Sequence, residues 1–95
     1  EYSRDDKYLP LVKMPQKYPR TAARRGTEGF VWVEFTVTRK GTVRSAKVVA
    51  SEPPGVFDQA AIEAVQHFRY LPMYVNGEPV EVQGVRSRMT FDLSD

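Results

Sequence analysis

The side chains able to do chemistry in this chain are few, and their spacing does not suit catalysis. The single histidine, His67, follows Glu63 by four residues, which puts both on one face of a helix. General acid–base catalysis needs a positioned partner with a complementary proton-transfer role, and this spacing alone describes an ordinary pair on a helix surface. As a metal site the two residues supply two ligands, whereas zinc takes three or four from protein. No metal and no other cofactor is therefore expected. Cysteine is absent, which excludes a thiol nucleophile, a thiolate cluster and a disulfide framework. Gly26-Thr27-Glu28-Gly29 precedes a predicted strand, whereas a phosphate-cradling glycine loop follows one. The chain is expected not to be an enzyme.

The basic residues fall in two groups, Arg20, Arg24 and Arg25 near the start and Arg86 with Arg88 near the end. Fourteen basic against 12 acidic side chains leave a formal charge of +2, enough for only weak attraction to nucleic acid or anionic membranes. A sheet that reads single-stranded RNA stacks two or three bases on aromatic rings. Here Trp32 stands alone with Arg86 and Arg88, so an RNA platform is a minor rival and no nucleic-acid partner is expected.

The elements that carry these residues follow from hydrophobic periodicity. Ninety-five residues at 41% hydrophobic content suit one small domain with a modest core. Residues 1–17 mix charges with Pro10 and Pro15 and read as an extended lead-in, leaving 18–95 as the folded unit. Pro19 suits a first helical position, and Thr21 to Arg25 continue a short helix until Gly26 caps it. Phe30 to Thr38 alternates, with Val31, Val33, Phe35 and Val37 on one face and Trp32 on the other. Cover by the lead-in and contact with a partner are both open to that indole. Arg39-Lys40-Gly41 makes a hairpin link to a second strand, Thr42 to Ala50. Phe57, Ala60, Ala61, Ala64, Val65 and Phe68 form the stripe of a helical run from Phe57 to Tyr70, with Asp58 and Arg69 matching its end charges. Asn76-Gly77 turns a small hairpin, Met73–Val75 to Glu78–Val82. Val85, Ser87, Met89, Phe91 and Leu93 then alternate with polar residues as a closing strand. The expected fold is α+β, two helices on one face of a mainly antiparallel three-stranded sheet in the order α-β-β-α-β, with an extra short hairpin before the last strand. No apolar run approaches the roughly 20 residues that span a bilayer, so these residues are expected to be soluble. The absence of an initial methionine suggests a fragment that omits any targeting or membrane segment.

Tyr18-Pro19 before a short helix, Glu28-Gly29 before the first strand, Gly41 in the hairpin, Phe57 opening the second helix, Phe68-Arg69-Tyr70-Leu71-Pro72, and the closing Met89-Thr90-Phe91-Asp92-Leu93 form an ordered set. Together they resemble the C-terminal domain of TonB, the periplasmic energy transducer of Gram-negative bacteria. Phe68 departs from the tryptophan usual in that family and keeps an aromatic core anchor. The Met73 to Val82 segment resembles TonB forms found alongside a second energising system.

The resemblance implies a periplasmic domain of an inner-membrane-anchored protein. An N-terminal membrane helix absent from this sequence would contact ExbB and ExbD. The domain's partners would be outer-membrane receptors, whose TonB box adds as a strand beside the terminal strand to drive uptake of siderophores, haem or cobalamin. The implied contact residues are Gln16, Tyr18, Val85, Arg86, Ser87, Arg88, Met89, Thr90, Phe91 and Asp92. The alternative is a TolA-like periplasmic scaffold. An outer strand carries unpaired N–H and C=O groups that another extended peptide can satisfy, and the same edge permits a weak homodimer.

Overall fold

The computed structural model describes residues 10–93; the expectations for residues 1–9 lie outside it. Helix α1 spans Arg20–Arg25. Pro19, expected as its first residue, is instead its N-cap: φ −61° and ψ 135° keep it extended, while its carbonyl accepts the first helical bond from Ala23 N–H at 2.9 Å. At the other end Gly26 takes φ 72°. Gly26 N–H donates to the Ala23 carbonyl and Thr27 N–H to that of Ala22, the Schellman closure.

Strands β1 (Gly29–Val37) and β2 (Val43–Glu52) form an antiparallel hairpin. Its link is closed by Thr38 N–H to Thr42 carbonyl at 2.8 Å, with Gly41 at φ 86°. Helix α2 covers Asp58–Val65, shorter than the predicted run to Tyr70. The chain tightens after Val65: His67 and Phe68 N–H groups donate to carbonyls three residues back, and this turn drives Phe68 into the core at 0% exposure. Arg69 therefore lies beyond the helix and not at its last turn. Its guanidinium still donates to the Phe68 carbonyl at 2.8 Å and to that of Gln66 at 3.4 Å, while its backbone pairs with Val12 of the lead-in. Apart from that bridge, residues 10–17 have no regular structure.

The small hairpin is β3 (Met73–Val75) and β4 (Glu78–Val80). Asn76 at φ 53° and Gly77 at φ 82° give the two positive-φ positions of a type I′ turn. Strand β5 runs Val82–Phe91, beginning before the expected Val85 and ending before Leu93, whose side chain is 43% exposed. The main sheet has the order β2-β1-β5, antiparallel throughout, so the first strand is central and the last strand an edge. Val31, Val33, Phe35 and Val37 meet Val85, Met89 and Phe91, Ala22 of α1, and Ala61, Ala64 and Val65 of α2 in one buried cluster. Both helices thus contribute to the same face, as the alternation predicted.

Candidate functional site

The two edges of the sheet differ. β2 carries an extra residue at two places against β1, opposite Trp32/Val33 and opposite Glu34/Thr36, and Ser45 within it stands at φ 61°. Each bulge bends the strand and breaks the even row of outward groups. β5 carries one bulge, opposite Phe35/Val37, at the point where Gly84 adopts φ 71°. From Val85 to Phe91 its register with β1 is unbroken. β2 has the form of a guarded edge and β5 that of an open one.

Two hydrogen bonds fix which groups of β5 face outward. Thr38 N–H points at β2. All the extra residues sit on β2 and β5, so the even-numbered positions of β1 bond to β2 and the odd-numbered ones to β5. Their partners on β5 are residues 85, 87, 89 and 91. Residues 86, 88 and 90 must then direct N–H and C=O away from the sheet. Independently, the Thr90 carbonyl accepts from Gln16 Nε2 at 2.6 Å, a group outside the sheet.

The ten residues marked out in the sequence therefore divide. Val85, Met89 and Phe91 are buried, at 0%, 1% and 2% exposure, and Ser87 is half-buried with its hydroxyl 3.8 Å from Met89 Sδ. These four hold β5 on β1 through main chain and side chain. Arg86, Arg88 and Thr90 are exposed and present the outward groups. Arg86 reaches Glu34 at 3.5 Å, and the Arg88 guanidinium lies over the Phe30 ring, 4.7 Å from its centroid. These contacts line the face opposite the helices, where Trp32 is half-buried across from Arg88. Asp92 is exposed just past the strand.

Gln16 and Tyr18 come to the same end of β5 by packing. The Tyr18 ring meets Phe57 edge-on at 5.5 Å and Phe91 at 5.8 Å, while Phe57 stacks on Phe91 at 4.4 Å. The Tyr18 hydroxyl donates to the Thr27 carbonyl just past α1. One ring thus ties the lead-in to the start of α2, the end of β5 and the exit of α1. Glu28 adds a further tie, accepting from Leu93 N–H at 2.9 Å. Sequence reasoning missed this role of Glu28; its only signal was its place beside Gly29.

Partial burial pushes the Tyr18 hydroxyl above its ordinary pKa of about 10, and the carboxylates of Glu28 and Asp92 push the same way. The folded state therefore holds that proton more tightly than the unfolded chain. The resulting stabilisation is complete below about pH 10 and is lost as pH rises through the elevated folded value. Urea unfolding of wild type and Tyr18→Phe from pH 8.5 to 11.5 should show the gap in stability between them shrinking at the alkaline end. A gap that stays constant would refute it.

The other chemical candidates stay apart from this edge. His67 and Glu63 are exposed on α2 and the turn after it, and Glu63 accepts from Gln59 Nε2 at 3.2 Å. They line a groove of about 310 Å³ against Met14, Pro15 and Lys17 of the lead-in. Among the described residues no group of three or more His, Cys, Asp or Glu is placed to hold a metal, and no helix is long and apolar enough to cross a membrane.

Comparison with known proteins gives a consistent set of relatives. Protein TonB of Pseudomonas aeruginosa is 35% identical over 82 residues, 86% of this chain and 24% of that protein. Protein TonB of Vibrio cholerae is 30% identical over 76 residues, 80% of this chain and 31% of that protein. The chain thus spans less than a third of the length of these curated relatives. The solution NMR structure of the Pseudomonas aeruginosa TonB C-terminal domain superposes with a TM-score of 0.77 at 32% identity, covering 95% of this chain and 91% of that one. The TonB2 protein of Vibrio anguillarum gives 0.70 at 28% identity, covering 100% and 90%. The family model described as Gram-negative bacterial TonB protein C-terminal matches residues 14–93, from within the lead-in to the residue that Glu28 holds, and this chain belongs to that family.

Proposed function

We propose that this domain is the receptor-docking end of a TonB-type energy transducer, and that it binds the TonB box of outer-membrane receptors as an added strand on the outer edge of β5. The observation that carries this reading is the asymmetry of the sheet: an unbroken register from Val85 to Phe91 on one edge, two bulges on the other. Arg86, Arg88 and Thr90 are the contact residues, through their main chain. Val85, Ser87, Met89 and Phe91 hold that main chain in place, and Gln16 and Tyr18 bound its far end. In this reading the domain works in the periplasm without catalysis and without a cofactor. The rest of the protein supplies an inner-membrane anchor and the contacts with ExbB and ExbD, and the cargo is a siderophore, haem or cobalamin.

Main-chain pairing makes few demands on partner sequence, which suits one transducer serving several receptors. It also yields a weak complex. About five bonds at a net ~1 kcal/mol each are largely offset by ordering an extended peptide at ~1–2 kcal/mol per residue. A transducer that engages, pulls and releases needs that reversibility.

Titration of the ¹⁵N-labelled chain with a synthetic peptide carrying a receptor TonB box tests the proposal. The amides of Arg86, Arg88 and Thr90 should shift most and gain protection from exchange, with smaller changes at residues 85, 87 and 89. Shifts confined to α1 or to the β2 edge would place the partner elsewhere. Saturable binding of a second copy of the chain, with none of the peptide, would favour self-pairing or a TolA-like scaffold.

A further inference from the structure

The outward row of β5 ends against the chain's own lead-in. Gln16 Nε2 donates to the Thr90 carbonyl at 2.6 Å, as the backbone N–H of a docked strand would. Its side chain is placed there from a fixed point, because Tyr18, two residues on, packs edge-on against both Phe57 and Phe91 and is bonded to Thr27. Among the described residues the main-chain groups of Arg86 and Arg88 have no such partner on the outer side, so the cap is local to one end. A paired strand runs about 4.8 Å from its neighbour. An amide nitrogen within hydrogen-bond distance of an outward carbonyl lies inside that lane.

Resting on the strand-docking reading above, we propose that Gln16 is an internal cap on the edge: a docking strand pairs freely with Arg86 and Arg88, and must displace the Gln16 amide to pair as far as Thr90. Gln16 then sets the register and length of strand that β5 accepts. The bulge at Gly84 closes the lane at one end, and Gln16 closes it reversibly at the other. A strand that supplies its own N–H to Thr90 replaces one donor by another and gains little there. A chain without the amide offers that carbonyl vacant.

The test compares wild type with Gln16→Ala and with Gln16→Asn, whose amide is one methylene too short to reach. Each is titrated calorimetrically with a synthetic TonB-box peptide and with a truncated form lacking the residues that pass Arg88. Gln16 is not among the buried residues, so both variants should fold, as their amide spectra will show. Both should bind the full peptide about two- to tenfold more tightly, the worth of one exposed hydrogen bond, and should bind the truncated peptide with wild-type affinity. In wild type the Gln16 side-chain amide resonances should move to free-glutamine positions with the full peptide and stay in place with the truncated one. Unchanged or weaker binding of the full peptide by both variants, or a Gln16 resonance that ignores it, overturns the cap while leaving the docking reading intact. Failure of every protein to bind either peptide removes the docking reading and the cap with it.

Discussion

Proline at Arg88 or Thr90 is expected to leave the domain folded and to weaken its hold on a TonB-box peptide by about tenfold. Each substitution deletes one outward N–H, worth roughly 0.5–1.5 kcal/mol when paired, and places a ring in the lane the peptide must occupy. The ladder to β1 is untouched, because the bonds that hold β5 in place come from residues 85, 87, 89 and 91. Proline is tolerated on an edge strand where its missing donor faces solvent. Ser87→Pro is the control in the same strand, one residue away. It removes a donor aimed at Val33 and strands a buried acceptor at a cost of about 1–3 kcal/mol, so it should unfold at lower urea whether or not peptide is present. Peptide affinity by calorimetry and stability by urea titration should therefore separate the even from the odd positions. If Arg88→Pro unfolds the domain and Ser87→Pro does not, the assignment of outward groups is reversed. If Arg88→Pro folds and binds as wild type does, the β5 edge is not the site.

The second large effect is on stability and sits at a glycine. Gly26 and Gly41 both have positive φ, 72° and 86°, so alanine at either incurs the left-handed penalty of about 1–2 kcal/mol. Their surroundings differ. A Cβ at Gly26 meets nothing within 4 Å, whereas at Gly41 it would lie 2.0 Å from the Tyr70 carbonyl oxygen. Tyr70 N–H donates to the Gly41 carbonyl at 2.8 Å, so the two backbones are in direct contact, and Tyr70 is 4% exposed with its ring 6.0 Å from that of Phe35. Relieving the clash means moving the hairpin off the core or losing that buried bond at a further ~1–3 kcal/mol. Gly26→Ala should therefore cost about 1–2 kcal/mol and Gly41→Ala about twice that or more, a large share of the roughly 5–15 kcal/mol that holds a domain together. Equal costs in chemical denaturation would show that the hairpin and the Tyr70 segment are not in contact in solution.

The same close approach explains a feature that sequence reasoning could only use as a family mark. Gly29 follows Glu28 at the start of β1, and a Cβ there would lie 1.9 Å from the Glu52 carbonyl oxygen at the end of β2. Glu28 itself anchors Leu93. Neighbouring residues in one short motif are thus fixed by different segments, the end of β2 and the chain just past β5, each distant in sequence.

What the amino-acid order determined by itself were the properties that local chemistry sets. The inward phase of Val31, Val33, Phe35 and Val37 follows from a period of two. The Asn76-Gly77 turn and the Gly26 closure follow from the backbone freedom of residues that accept positive φ. The α2 face follows from apolar steps of three and four. The end of α2 did not follow, because the pattern continues to Phe68 while a tighter turn and the pairing of Arg69 with Val12 draw the chain away from the helix. The position proposed for the site, on the terminal strand, was implied by family likeness. Which of its atoms face outward was decided only by tertiary structure. That phase depends on β1 being central, on the Thr38–Thr42 closure of a hairpin some fifty residues away, and on where the bulges fall. The guarding of β2 and the capping of β5 by Gln16 have the same character. Periodicity records which side chains avoid water; it carries no record of which main-chain groups another strand has already satisfied, since every residue except proline offers the same N–H and C=O.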